Sequence, residues 1–294
     1  MIDGMRISVS IFESEGLSFG QGTADAFEEA AWLLLWSLNL PRDRLDDFGD
    51  SLISVPEWRR VARWLRKRVD QRIPMSYLTG EAWLAGLRFR SDPRALIPRS
   101  LLVEALSFCT DEHLMDHPAT ILDLCAGSAS VLIHAGHRFP AAELSASDLS
   151  HQALDLARLN LADHGMLSRT RLRQGSALSP WGNERFDLIL CNPPYVSQQS
   201  MQSLPPEFRA EPQIALDGGT DGMDFCRILL DQAINNLSPQ GIILLEIGHE
   251  AAHFEAAFQE LNRLWVPVAA GERMVVMIDR KALERMDALK SGPA

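Results

Sequence analysis

Positive charge is scarce in this chain. Lysine and arginine total 28 against 39 aspartates and glutamates, a formal net charge of −11 over 294 residues. Enzymes that hold a phosphate backbone normally meet it with a basic face, so stable DNA binding is disfavoured. An acidic surface would instead speed encounter with a basic protein; plain solubility is the rival reading. Long apolar runs are also missing. No stretch of eighteen apolar residues occurs, so no membrane span is predicted. The first residues lack a basic segment followed by an apolar one, so no secretory signal is expected. The four cysteines, Cys109, Cys125, Cys191 and Cys226, form no C-x-x-C pair and read as reduced thiols of a cytoplasmic protein. Internal repeats and low-complexity tracts are absent.

What is present falls into three textures. Residues 1–85 are predicted helical. Ala24–Leu38 carries a dense apolar face with Trp32 and Trp36 four apart, and Pro41 follows its end. Pro56–Gln71 is amphipathic, with Trp58, Val61, Ala62, Leu65 and Val69 opposed to Arg59, Arg60, Arg63, Arg66, Lys67 and Arg68. That row is the strongest basic patch; it reads either as a solvated helix face or as a contact for RNA or an acidic partner. Residues 86–118 read as a β-hairpin linker: Leu87–Ser91, a turn at Asp92-Pro93, Ala95–Pro98, then a helix from Ser100 to about Cys109. Residues 119–294 form the third region, where strands and helices alternate up to about residue 280.

Strands are predicted in that region at Thr120–Cys125, Glu143–Asp148, Arg169–Gln174, Phe186–Cys191, Gly241–Ile247, Trp265–Ala269 and Met274–Asp279. Helices are predicted at about Val131–Arg138, His151–His164, Asp224–Asn236 and Glu250–Asn262. The alternation argues an α/β fold with a doubly wound, mainly parallel sheet, and an antiparallel hairpin at one edge. Ligands of such sheets bind at the C-terminal strand ends, near the switch in strand order.

Three strand ends carry chemistry. Phe186–Cys191 runs into Asn192-Pro193-Pro194-Tyr195. Two consecutive prolines stiffen the loop and forbid a helix start. The Asn192 amide oxygen and the Pro193 carbonyl then offer two acceptors for a planar NH2 group, with the Tyr195 ring to cover it. Ile121–Cys125 runs into the small residues Ala126-Gly127-Ser128-Ala129, which let a ligand approach the backbone. The G-x-G-x-x-G fingerprint is not met. Asp148 ends the second strand and can accept two ribose hydroxyls; a helix-capping role is its alternative.

With these motifs the chain resembles the protein-(glutamine-N5) methyltransferases of the translation apparatus. The resemblance extends to Ile73-Pro74, Tyr77-Leu78-Thr79-Gly80-Glu81-Ala82-Trp83, Leu96-Ile97-Pro98-Arg99-Ser100, Leu204-Pro205-Pro206-Glu207-Phe208, Glu211-Pro212 and Gly218-Gly219-Thr220-Asp221-Gly222. Ile-Pro-Arg-Ser followed by Leu-Leu-Val-Glu is similar to the branch acting on the third protein of the large ribosomal subunit, rather than the release-factor branch. The resemblance implies a seven-stranded class I, Rossmann-like domain that uses S-adenosylmethionine, and a helical N-terminal domain for substrate recognition. It implies cofactor contacts from Asp123, Cys125, Ala126, Gly127, Asp148, Leu149, Ser176, Ala177 and Asn192. It implies catalytic roles for Asn192, Pro193 and Tyr195, and a substrate pocket of these residues with Pro194, Phe89 and Arg99. The implied acceptor is a glutamine on a basic ribosomal protein, in keeping with the acidic charge.

Two departures stand out. Ala129 replaces a usual glycine and should fit if its φ is negative. Ser176 stands where relatives usually carry an aspartate near the adenine amino group, so either weaker cofactor binding or a contact made elsewhere is expected. His249-Glu250-Ala251-Ala252-His253 matches H-E-x-x-H with Glu272 downstream, but it follows a predicted strand of a doubly wound sheet, so no metal is expected. The rival readings are a release-factor methyltransferase, an exocyclic-amine nucleic-acid methyltransferase, a lapsed ribosome-assembly binding factor, and a small-molecule methyltransferase.

Overall fold

The structure is a computed structural model and describes residues 1–115 and 117–290. Asp116 and the last four positions of the third region lie outside the described residues. The chain divides into two compact units: 1–93 with 97–99 and 204–211, and 94–96 with 100–203 and 212 onward.

The first unit contains α1 (Ile2–Ser14), α2 (Ala26–Ser37), α3 (Leu45–Phe48), α4 (Val55–Gln71), α5 (Met75–Thr79), β1 (Glu81–Leu84) and β2 (Leu87–Arg90). Asp25 starts α2 by accepting the N–H groups of Phe27 and Glu28, both at 2.9 Å. Ser54 and Glu57 form a capping box at the start of α4, with Pro56 in its first turn. Phe12, Trp32, Leu33, Leu34, Leu35, Val61 and Leu65 make the core.

Two expectations change here. The hairpin turns at Ala85-Gly86, pairing Leu84 with Leu87 and Ala82 with Phe89, so its strands are 81–84 and 87–90 and residues 95–98 are not a strand. Ala85 and Gly86 both have positive φ, the twist-matched two-residue hairpin turn. Pro93 and Pro98 lack the N–H groups that a second pairing strand would need. On α4, Arg68 is buried, so it leaves the solvent-facing basic row.

The second unit contains α6 (Leu102–Asp111), β3 (Thr120–Leu124), α7 (Ser130–Arg138), β4 (Glu143–Asp148), α8 (His151–Asp163), β5 (Thr170–Gln174), β6 (Phe186–Cys191) and α9 (Gln198–Ser203). It continues with α10 (Asp224–Asn236), β7 (Leu237–Glu246), α11 (Ala251–Ala257), β8 (Leu264–Val268), β9 (Gly271–Asp279) and α12 (Arg280–Lys290). The seven strands lie in the order β5-β4-β3-β6-β7-β9-β8. β9 runs opposite to the other strands of the sheet, giving the expected antiparallel edge hairpin with β8. This is the doubly wound, Rossmann-like α/β sheet. Its switch point lies between β3 and β6, because β4 continues to one side of β3 and β6 lies on the other.

The central strands are apolar on both faces, as burial on both sides requires: Leu122, Leu124, Leu188, Ile189, Leu190, Ile243, Leu244 and Leu245 are all buried. α11 ends sooner than the sequence suggests, because Arg263 donates to the Phe258 and Leu261 carbonyls (2.9 and 3.0 Å) and closes the turn there. α12 was not anticipated; Asp279 caps it by accepting the Ala282 N–H, and Ala282, Leu283 and Met286 face inward. Among the described residues, no helix is long and apolar enough to cross a membrane.

Candidate active site

The strand registers bring the predicted site residues to one level. Leu124 pairs with Ser147 on one side and with Cys191 on the other. The next residues, Cys125, Asp148 and Asn192, therefore sit side by side at the C-terminal edge. With about 4.8 Å between neighbouring strands, Asp148 and Asn192 are roughly 10 Å apart across β3, a nucleoside-sized span. Gln174 pairs with Asp148, so Gly175, Ser176 and Ala177 extend the same rim.

The loop after β3 is conformationally forced. Cys125, Gly127 and Ala129 all have positive φ, 54°, 53° and 61°. The condition set for Ala129, a negative φ, is not met: the residue is the left-handed N-cap of α7, where the chain turns from the loop into the helix, and its N–H donates to the Ala126 carbonyl at 2.7 Å. Left-handed backbone costs an alanine about 1–2 kcal/mol. Ala177 is held at φ 46° on the neighbouring loop. Strain on both loops of one rim is characteristic of a ligand cradle. Ala129→Gly is expected to leave stability unchanged or raise it by less than about 1 kcal/mol, because relief of the strain offsets both the added freedom of the unfolded chain and the lost burial of the methyl. Urea unfolding measures it, and a destabilised variant would contradict the strain assignment.

Asp123 lies beneath this loop with 2% of its surface exposed. One carboxyl oxygen accepts the Leu132 N–H at 3.2 Å, tying β3 to the start of α7. Burial, aided by Asp148 nearby, pushes its pKa up to about 8. Its place is therefore under the loop, where it holds the backbone in shape. The folded state keeps this proton up to about pH 8, whereas the unfolded chain gives it up near pH 4. Between those values the folded state binds more protons, so this group's contribution to stability is complete below about pH 4 and falls as pH rises toward 8. Asp123→Asn keeps the acceptor and should flatten the profile by up to about 1.4 kcal/mol per pH unit in that window. Thermal unfolding across pH reads it; an unchanged slope would refute the buried proton.

Asp148 accepts two backbone N–H groups, Gly127 at 2.9 Å and Ser150 at 2.8 Å. Each oxygen keeps a further lone pair for a hydroxyl. Burial raises its pKa, against the pull of those N–H groups. The cap of α8 belongs to Ser150, whose hydroxyl accepts the Ala153 N–H. Leu149 is 53% exposed, an apolar surface beside the carboxylate. Ser176 is exposed, while its carbonyl closes a turn with Ser179. Gly175 has no alternative, since a Cβ there would lie 2.4 Å from Pro180.

On the other side of the switch point, the Asn192 side chain is half-buried and makes no hydrogen bond among the described residues. Pro193 is buried, and Pro194 and Tyr195 are half-buried. Three glycines cradle this loop. A Cβ on Gly218 would approach the Pro194 carbonyl to 2.7 Å, one on Gly222 the Tyr195 carbonyl to 2.2 Å, and one on Gly248 the Tyr195 ring to 2.5 Å. The Gly218–Gly222 segment and Gly248, which the sequence marks without explaining, thus serve to let the stiff loop lie flat. The Tyr195 hydroxyl donates to Glu246 at 3.1 Å. The other Glu246 oxygen accepts from the Ser100 hydroxyl (2.6 Å) and the Leu101 N–H (2.9 Å). Glu246 is buried and fixes the ring from below; sequence reasoning missed its role, though an acidic residue ending an apolar strand was a visible signal.

Two further expected pocket residues lie in the first unit. Phe89 is buried, 1% exposed. Arg99 is engaged by Glu211 through two bonds of 2.7 and 2.8 Å and lies over the Phe208 ring. In the H-E-x-x-H segment, Glu250 accepts from His253 at 2.5 Å, and no group of three metal-ligating side chains occurs among the described residues. All four cysteines are free; burial pushes Cys109 up to about 11 and Cys226 up to about 12, so both stay protonated.

A sheet of this order, with a small-residue loop after its first strand and an acidic residue ending its second, defines a class I methyltransferase. Residues 101–220 match the methyltransferase small domain family. Along its length the chain is 42% identical over 284 residues to the ribosomal protein uL3 glutamine methyltransferase of Bordetella pertussis, covering 96% of this chain and 95% of that one. It is 39% identical to the protein of that name from Burkholderia pseudomallei, over 96% of this chain and 94% of the relative. With the Bradyrhizobium diazoefficiens protein it shares 38% identity, over 95% and 90%. The chain belongs to the ribosomal protein uL3 glutamine methyltransferase family.

Proposed function

We propose that this protein transfers a methyl group from S-adenosylmethionine to the side-chain N5 of a glutamine in ribosomal protein uL3, in the cytoplasm. The observation that carries the reading is the unengaged Asn192 amide at the end of β6, level with Asp148, in a chain of this family. The strained loop at 125–129, the remaining lone pairs of Asp148 and the exposed Leu149 suit the amino acid, ribose and adenine of the cofactor. When bound, the cofactor supplies an electrophilic methyl on a sulfonium.

The chain's own residues prepare the acceptor. A carboxamide nitrogen is a poor nucleophile, because its lone pair is delocalised into the carbonyl. The Asn192 oxygen and the Pro193 carbonyl accept its two N–H bonds and fix its lone pair in line for transfer. As the N–C bond forms, nitrogen becomes positive and both hydrogen bonds strengthen, so they favour the transition state over the ground state. Tyr195, held by Glu246, supplies a π face beside that charge. The alkylated amide cation is strongly acidic and loses its proton without a dedicated base.

The test offers labelled S-adenosylmethionine with isolated uL3, a release factor and duplex DNA in separate reactions, with Asn192→Ala as the control. Label on uL3 that disappears in the control is expected. Label only on the release factor or DNA would overturn the acceptor, and no label on any would overturn the activity.

A further inference from the structure

Five cations on α4, Arg59, Arg60, Arg63, Arg66 and Lys67, are exposed. Their i, i+3, i+4 and i+7 spacing puts them on one side of the helix, along about 12 Å of axis. None is in an ion pair with a carboxylate among the described residues. Arg60 donates to the Ser37 carbonyl at 3.3 Å, and Lys67 lies 5.3 Å from the centre of the Trp64 ring, which meets Trp36 edge-on. Other cations of the same unit are neutralised: Arg6 faces Asp3, Arg44 faces Asp47, Arg72 faces Glu207 and Arg88 faces Glu81. On α4 itself, Glu57 is engaged in the capping box. A chain with eleven more acidic than basic residues thus leaves its densest basic row without an ion pair among the described residues, Glu57 acting on Arg60 only at longer range.

We propose that this face of α4 docks onto RNA phosphates. Four of its five cations are arginines, whose planar forks suit phosphate oxygens, and the Trp64 ring flanks them. The basic acceptor protein cannot use this face, since like charges repel. The preference for RNA over an acidic peptide rests on the proposed ribosomal acceptor, a protein whose normal company is RNA; the charge layout stands without it. The enzyme then meets its acceptor in the presence of RNA.

Fluorescence anisotropy of the full-length protein with a labelled RNA hairpin, over a salt series, tests this. Five phosphate contacts give a log–log salt slope of about −4, and exchanging three cations should remove two to three units of it. The Arg59→Glu/Arg63→Glu/Arg66→Glu variant should lose at least roughly 30-fold in affinity at low salt, while its methyl transfer to isolated uL3 is unchanged. The corresponding triple lysine variant should retain the slope. Wild-type protein that does not bind the hairpin, or a charge-exchanged variant that binds it equally, overturns the proposal. Polyglutamate that binds as tightly and competes with the hairpin overturns it in favour of an acidic protein partner. Binding of RNA without transfer to uL3 would sink the acceptor and leave this surface standing.

Discussion

Asn192→Ala is expected to lower methyl transfer about 10³-fold while cofactor affinity changes less than about threefold. The amide is half-buried and bonds to nothing among the described residues, so its removal leaves no orphaned partner and the fold should persist. Cofactor contacts are expected chiefly from the other side of the switch point, at residues 125–129 and 148–149. What is lost is one of two acceptors that strengthen as charge develops on nitrogen, together with the alignment they enforce. Single-turnover transfer and calorimetric binding of S-adenosylhomocysteine separate the two effects. A large loss of binding with little loss of transfer would reverse the assignment of Asn192. Asn192→Asp is informative beside it, because a carboxylate keeps acceptor oxygens and should retain more transfer than alanine if accepting N–H bonds is the side chain's task.

The sheet was legible in the sequence because every strand is a short apolar run bounded by turn residues, and because helices alternate with strands. The strand-end residues were legible for a related reason: a buried parallel strand must end at the rim, which places Asp148 and Asn192 there. What the sequence hid is pairing at a distance. Glu246 and Ser100 are 146 positions apart, and nothing local announces their 2.6 Å bond. The hairpin was misplaced because Asp92-Pro93 is the stronger turn signal, whereas Ala85 adopts a positive φ that its side chain disfavours. Ala129 was misjudged for the same reason, since alanine is a poor sign of left-handed backbone. Arg68 was grouped with its exposed neighbours because helical spacing shows which residues share a face, and a buried arginine is invisible until its carboxylates are found.

Those carboxylates make the second large expectation, that Glu207→Ala destabilises the first unit by about 3–5 kcal/mol. Glu207 is fully buried and accepts from Arg68 at 3.3 Å and Arg72 at 3.2 Å. Arg68, 1% exposed, also donates to Glu29 at 2.5 Å and to the Ser18 carbonyl at 3.1 Å. Burial pushes the Glu207 carboxyl up, but backbone N–H groups, Arg72 and Arg68 outweigh it and hold the pKa low. Burial raises the Glu29 carboxyl despite Arg68, so that pair alone is a partial counter-charge and Glu207 supplies the rest. Its removal leaves a buried guanidinium short of compensation, a far larger cost than losing an exposed pair. The consequence reaches the chain beyond the Asn-Pro-Pro-Tyr loop, because residues 204–211 are counted in the first unit and are anchored there through Glu207 and Glu211. Arg209 is exposed between those anchors. Trypsin should therefore cleave after Arg209 faster in Glu207→Ala than in the wild type, with Glu207→Gln between them because its amide oxygen still accepts one guanidinium bond. Equal stability and equal cleavage in all three proteins would show that the buried charges do not hold this segment.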